Sequence, residues 1–167
     1  MEEDKLVKPG ERVDDLQRNG YRIIQDPGRF CFGMDAVLLA GFADKAAGKR
    51  LLDIGTGTGI LPLLMEARTG IEHLVGLEIQ EESADMAARS IKLNGLEDKI
   101  EIIAGDIREA DRLFEAASFD VITCNPPYMI GSHGLQNAQQ AKTIARHEVC
   151  GAFRDIAVMT AKLLKPG

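Results

Sequence analysis

A chain of 167 residues, 45% apolar and 28% charged, is long enough for one domain with a substantial buried core. Its net charge of −6 argues against a broadly basic nucleic-acid-binding surface, no apolar run approaches a membrane span, and the acidic Met1-Glu2-Glu3-Asp4 start is unlike a secretory signal, so a cytoplasmic protein is expected. Three scattered cysteines (Cys31, Cys124, Cys150) and three histidines (His73, His133, His147) without ligand spacing argue against a disulfide framework or a metal site.

Residues Met1 to Asp15 read as a polar lead-in, and Tyr21 to Gln25 as a short extended run. After the Asp26-Pro27-Gly28 turn, Asp35 is placed to cap a short helix reaching Phe42. From Lys49 the pattern becomes regular. Leu51–Ile54 is a buried strand ending in glycines, and Thr58–Arg68 a helix in which Pro62 falls within the tolerant first turn. His73–Glu78 is a second strand. Glu81–Leu93 is a helix with acids at its positive end and Asn94-Gly95 closing it. Ile100–Ala104 forms a third strand, Arg108–Phe114 a short helix, Phe119–Cys124 a fourth strand and Val149–Leu164 a helix, before the Lys165-Pro166-Gly167 stop signal. Alternation of this kind predicts an α/β doubly wound sheet, with residues 1–48 as an N-terminal segment and 49–167 as the ligand-binding core. Ligands of such sheets sit at the carboxyl ends of the strands, where the polar and glycine motifs fall.

Asp53-Ile54-Gly55-Thr56-Gly57-Thr58-Gly59 joins the first strand to its helix. Glycines there let a ligand approach the backbone; the alternative is a merely flexible turn. Ile60 stands where a dinucleotide fingerprint wants its third glycine, and no Gly-Lys-Ser/Thr follows. The loop therefore suits a nucleoside-like ligand better than a pyrophosphate. Glu78 ends the second strand, 25 residues after Asp53. A carboxylate there can accept both hydroxyls of a ribose, and a solvated acid is the competing reading. Asp106, after the third strand, is a candidate acceptor for an adenine amine, although Gly-Asp is also common turn chemistry.

Asn125-Pro126-Pro127-Tyr128 follows the fourth strand. Paired prolines stiffen the backbone and leave the Pro126 carbonyl without a ladder partner. An aromatic amine is a poor nucleophile because its lone pair is delocalised into the ring. If the Asn125 side-chain oxygen and the Pro126 carbonyl each accept one N–H, that lone pair can turn toward a sulfonium methyl. Tyr128 offers a face on which a purine can stack, worth about 1–3 kcal/mol. Alignment then matters more than a general base.

Taken in order and spacing, Asp53 to Gly59, Glu78, Asp106 and Asn125 to Tyr128 resemble the motifs of class I S-adenosylmethionine-dependent amino-methyltransferases. Phe30 to Leu39 and Ala145-Arg146-His147-Glu148 further resemble the bacterial tRNA (adenine-N6) methyltransferases that modify the adenine beside a valine tRNA anticodon. The resemblance implies a Rossmann-like fold and S-adenosylmethionine as methyl donor. It also implies cofactor contacts at Asp53, Gly55, Gly57, Gly59, Glu78 and Asp106, catalytic contacts at Asn125, Pro126 and Tyr128, and tRNA as partner. Asp35, Arg146 and His147 are candidate substrate contacts, with capping or surface polarity as the competing role. Lysines and arginines at 5, 8, 12, 18, 22 and 29, with Lys142, Arg146 and Arg154, offer a local basic rim on an acidic body.

One departure stands out. The family's sheet has seven strands, and this chain stops where the fifth should begin, so it is expected to be a truncated form of a longer enzyme. An open edge on the fourth strand would invite self-association. Two other functions share the motif or the fold. Protein glutamine N5-methylation poses the same electronic problem at a planar nitrogen, but about fifty residues before the glycine loop leave little room for a helical substrate domain. A non-catalytic cofactor- or RNA-binding module is the third reading.

Overall fold

The computed structural model describes residues 5–29, 31–43, 48–126 and 153–166. It opens with a hairpin of β1 (Arg12–Asp15) and β2 (Arg22–Gln25), paired antiparallel with Val13 opposite Ile24. The polar lead-in expected through Asp15 is thus partly a strand. Its turn lies in Asn19-Gly20, both left-handed at φ 52° and 71°, a pair that favours reversal. The N–H groups of Ile24 and Arg22 in β2 are satisfied by side chains of a later helix and its C-cap. Ile24 N donates to Ser90 Oγ at 2.9 Å and Arg22 N to Asn94 Oδ1 at 2.9 Å.

Next come α1 (Met34–Ala43), β3 (Arg50–Ile54), α2 (Ile60–Arg68), β4 (His73–Glu78), α3 (Glu81–Leu93) and β5 (Ile100–Ala104). A 3₁₀ turn (Ile107–Glu109) leads into α4 (Ala110–Leu113), then β6 (Val121–Cys124), and residues 153–163 form α5. The four later strands make one parallel sheet in the order β5-β4-β3-β6. Helices cover both faces, as the alternating pattern predicts. Leu51, Leu74 and Ile100 pack with α1, α2 and α3 on one side, and Ala36 and Ile23 of the N-terminal segment join the same core. On the other side Leu52, Ile54, Val75 and Leu77 pack with Phe114, Phe119 and Leu163. Phe114 and Phe119 meet edge to face with centroids 5.2 Å apart.

Beyond β6, Phe119 bridges in parallel to Leu164, and Lys165 N donates to Phe119 O at 2.9 Å. The backbone after α5 therefore enters the sheet beside β6, where a fifth parallel strand would lie. No described helix is long and apolar enough to cross a membrane.

Gly76, in the middle of β4, shapes the site above it. A Cβ there would lie 2.8 Å from both Thr56 Cγ2 and Ile102 Cδ1, so the missing side chain is the space into which Thr56 folds. Gly76→Val is expected to lower stability by about 1–3 kcal/mol through overpacking, read as an earlier midpoint in urea or thermal unfolding. An unchanged midpoint would show that Thr56 and Ile102 move aside freely.

Candidate functional site

The site lies where β3, β4 and β6 end together. At the end of β3 the backbone turns through Gly55, Gly57 and Gly59, all left-handed at φ 71°, 58° and 86°. Gly55 N and Thr56 N both donate to Leu77 O, at 2.8 and 3.1 Å, which ties the loop to β4. The three glycines do different work. A Cβ on Gly55 or Gly57 would meet nothing within 4 Å, so their backbone is open to a close ligand. A Cβ on Gly59 would sit 3.3 Å from Ala87 Cβ, so this glycine lets the loop pack against α3 as α2 begins.

Glu78 braces the same loop. Its Oε2 accepts from Gly57 N at 2.8 Å and its Oε1 from Gln80 N at 2.9 Å, with the residue 7% exposed. Each oxygen keeps a second lone pair for a hydroxyl donor. Asp106 is engaged within its own turn. It caps the 3₁₀ turn, accepting from Arg108 N at 2.9 Å, and pairs with the Arg108 guanidinium, whose hydrogen bonds hold its carboxyl below the usual range.

Asp53 is fully buried. Thr123 Oγ1, on β6, donates to its Oδ1 at 2.7 Å, while its Oδ2 has no hydrogen-bond partner. Burial raises its pKa to about 7, with the hydroxyls of Thr123 and Thr56 opposing the shift and the charge of Glu78 adding to it. Only Thr123 makes a hydrogen bond of ordinary geometry, so the Thr56 hydroxyl is a weak counterweight. Burial likewise pushes the neighbouring Cys124 thiol up to about 11, so it stays protonated and is no nucleophile.

Asn125 follows β6 directly. It lines a cavity of about 40 Å³ together with Gly55, Gly57, Phe32, Gly33 and Ala36. Asn125 Nδ2 donates to Asp35 Oδ2 at 2.9 Å across 90 residues of sequence. Asp35 therefore does not cap α1. It lies inside the first turn, because the helix already starts at Met34, and its carboxylate turns to the site. Asp53 and Asp106 do not line this cavity, whereas Gly55, Gly57 and Asn125 do. Tyr128, Arg146 and His147 lie outside the described residues, as does the segment between Met129 and His147.

Several contributors escaped the sequence. Gln25, 2% exposed, donates from Nε2 to Asp14 Oδ2 at 2.7 Å and accepts from Phe32 N at 3.0 Å, latching the rim of the cavity to the hairpin. Nothing in its neighbours marks a glutamine at a strand end as buried. Gly33 and Thr123 were also missed; a glycine two residues before an acid at a helix start was the available signal. The expected basic rim is weaker than the residue types suggest. Lys8 pairs with Asp85, Arg12 with Asp14, and Arg29 with Asp26 and Glu82.

Because the folded Asp53 holds its proton up to about pH 7 and the unfolded residue only to about 4, this group's contribution to stability falls as pH rises across that window. Asp53→Asn keeps the Thr123 hydrogen bond and removes the buried charge. Its stability relative to the parent is expected to rise between pH 4 and 7 by on the order of 2–4 kcal/mol, at about 1.4 kcal/mol per pKa unit. Thermal unfolding of both proteins across that range is the check; a constant gap would mean that Asp53 is solvated.

Residues 20–148 match the family model described as the methyltransferase small domain. The chain is 33% identical over 149 residues to the tRNA1(Val) (adenine(37)-N6)-methyltransferase of Tolumonas auensis, covering 87% of this chain and 60% of that protein. It is 35% identical to the Bacteroides thetaiotaomicron protein of the same name, covering 80% and 54%. The chain thus spans little more than half the length of the curated relatives it matches. Among solved structures, TrmN from Thermus thermophilus superposes with a TM-score of 0.61 at 24% identity, over 79% of this chain and 35% of that one. TYW2 from Pyrococcus horikoshii in complex with MeSAdo gives 0.57 at 20% identity, over 69% and 42%. At these identities the two structures speak for the Rossmann-like fold. The glycine turn, the carboxylate at the end of β4 and the asparagine at the end of β6 sit within the matched region, and the chain belongs to the methyltransferase small domain family.

Proposed function

We propose that this chain carries the cofactor and catalytic core of an S-adenosylmethionine-dependent N-methyltransferase whose target is adenine N6 beside the anticodon of a valine tRNA. The observation that carries the reading is the Asn125 side chain, held at the end of β6 in the cavity it shares with Gly55 and Gly57. The names of the curated relatives support the substrate.

The loop fits the cofactor on geometric grounds, since open space over two left-handed glycines is what a close backbone contact requires. Gly55 and Gly57 would hold its nucleoside part from below, and Glu78 would accept from its ribose hydroxyls. Bound there, the cofactor supplies an electrophilic methyl carbon on a positively charged sulfur. The protein's own part is alignment. Asn125 Oδ1 and the Pro126 carbonyl would each accept an N–H of the target amine, drawing the lone pair out of the ring and toward the glycine turn. A base already in an anticodon loop costs less to extrude than one inside a duplex. No general base is needed before transfer, and the high pKa of Cys124 agrees with its taking no proton.

The test is methyl transfer from labelled S-adenosylmethionine to bulk tRNA or, separately, to a release factor. Label in tRNA as N6-methyladenine supports the reading, and label in the release factor alone sinks it in favour of glutamine methylation. Asn125→Ala is expected to lose about 10²–10³-fold in turnover with cofactor affinity kept. Unchanged turnover would remove Asn125 from the mechanism.

A further inference from the structure

Asn125 is useful only with its oxygen, not its NH₂, toward an amine. A primary amide presents an acceptor at one end and two donors at the other, on a frame that can rotate. Reversed by half a turn, the same side chain would point N–H groups at the N–H groups of its target. Something must set the orientation. The Asn-Pro-Pro backbone fixes where the side chain starts, not which way its amide faces.

We infer that Asp35 is the positioning residue that sets this orientation, and that Gly33 keeps the space in which Asp35 does so. The inference deepens the proposed methyl transfer and rests on that reading for its functional consequence. Asp35 Oδ2 accepts from Asn125 Nδ2 at 2.9 Å. An ionised carboxylate accepts only, so the amide presents its NH₂ to Asp35 and its Oδ1 to the other side. The hydrogen bond is charge-assisted and therefore stronger than one between neutral groups. Position is equally constrained. Asp35 sits in the first turn of α1, whose buried Ala36 and Ala40 hold that helix in the core with Leu51 and Ile60, so the carboxylate stands on a rigid element.

Gly33 supplies the second observation. A Cβ at this position would lie 2.7 Å from Asp35 Oδ1 and 3.7 Å from its Cγ, with no other atom in reach. The absent side chain is occupied by the Asp35 carboxylate itself. Any larger residue at 33 would have to push that carboxylate off its place, and because it ends a short flexible side chain the rest of the fold would stay put. Gly33 also lines the cavity beside Asn125, so the glycine, the acid and the amide form one contiguous arrangement. A sequence made only to cap α1 would need neither the glycine nor the contact across 90 residues.

Two readouts test this. The first is independent of turnover: the side-chain amide signal of Asn125 in a proton–nitrogen NMR spectrum of the protein, identified by its loss in Asn125→Ala. In Asp35→Ala, and in Gly33→Ala, that signal is expected to leave its hydrogen-bonded position and move toward those of solvated amides. In Asp35→Asn, whose amide can accept but can also donate, the signal should lie between those two positions. The second readout is kinetic. Asp35→Ala and Gly33→Ala should each lose about 10²-fold in kcat, the scale of a misaligned reacting group, with cofactor affinity unchanged, and Asp35→Asn, whose amide admits either orientation, should recover only part of that loss. An Asn125 signal that does not move in Asp35→Ala overturns the inference, as does a moved signal with kcat intact. Should the parent protein transfer no methyl group to tRNA, the proposed function falls, and the NMR arm still decides whether Asp35 orients the amide. Thermal unfolding of each variant separates a displaced amide from a lost fold: an Asp35→Ala protein that unfolds with the parent yet shows a moved signal supports positioning, and one whose signal moves only because the fold is lost overturns it.

Discussion

Three left-handed residues within five positions give the site its geometry. After β3 the chain must reverse into α2 while remaining bound to the end of β4, and Gly55, Gly57 and Gly59 supply the φ angles that side chains resist. The Leu77 carbonyl takes two N–H groups from this turn and Glu78 takes a third, so the loop is anchored to one neighbouring strand rather than hanging free. Everything else is referred to this anchor. β6 runs beside β3, which sets Asn125 next to the glycines, and α1 packs against α2, which sets Asp35 next to Asn125.

The electrostatics follow from the same crowding. Asp53 and Glu78 sit near the ends of adjacent strands, Asp53 opposite Gly76, one fully enclosed and the other gripping backbone amides. Burial without enough donors lifts the Asp53 carboxyl to about 7, so about half of it is protonated at neutral pH, whereas Glu78 accepts from two backbone N–H groups. Two acids of similar sequence context thus have different jobs. One joins β3 to β6 through Thr123, and the other braces the glycine loop through Gly57 N and Gln80 N.

The repeating strands and helices were legible because each carries a strong period and a clear stop. Leu51–Ile54, His73–Glu78 and Ile100–Ala104 fall within a residue of the strands observed, and Glu81–Leu93 is the helix observed. Local competition explains the misses. The strand at Arg12–Asp15 is too polar to show a buried face, although Asn19-Gly20 was a legible hairpin turn. Asp35 before an apolar run reads as a cap, and only the tertiary arrangement reveals its partner just after β6. At Asp106 the structure displays the turn chemistry that the Gly-Asp pair offered. Asp53 reads as part of the glycine motif, but burial depends on strand neighbours that no local window contains.

The buried amide of Gln25 has a mechanical consequence. It spans from the Asp14 carboxylate to the Phe32 N–H, so the hairpin and the mouth of the cavity share one bolt. Swinging the Phe32–Gly33 stretch outward would strand the glutamine oxygen in a region closed to water, a cost of about 1–3 kcal/mol. The mouth of the cavity is thus held to the hairpin, and the hairpin in turn to α3 and its C-cap through Ser90 and Asn94.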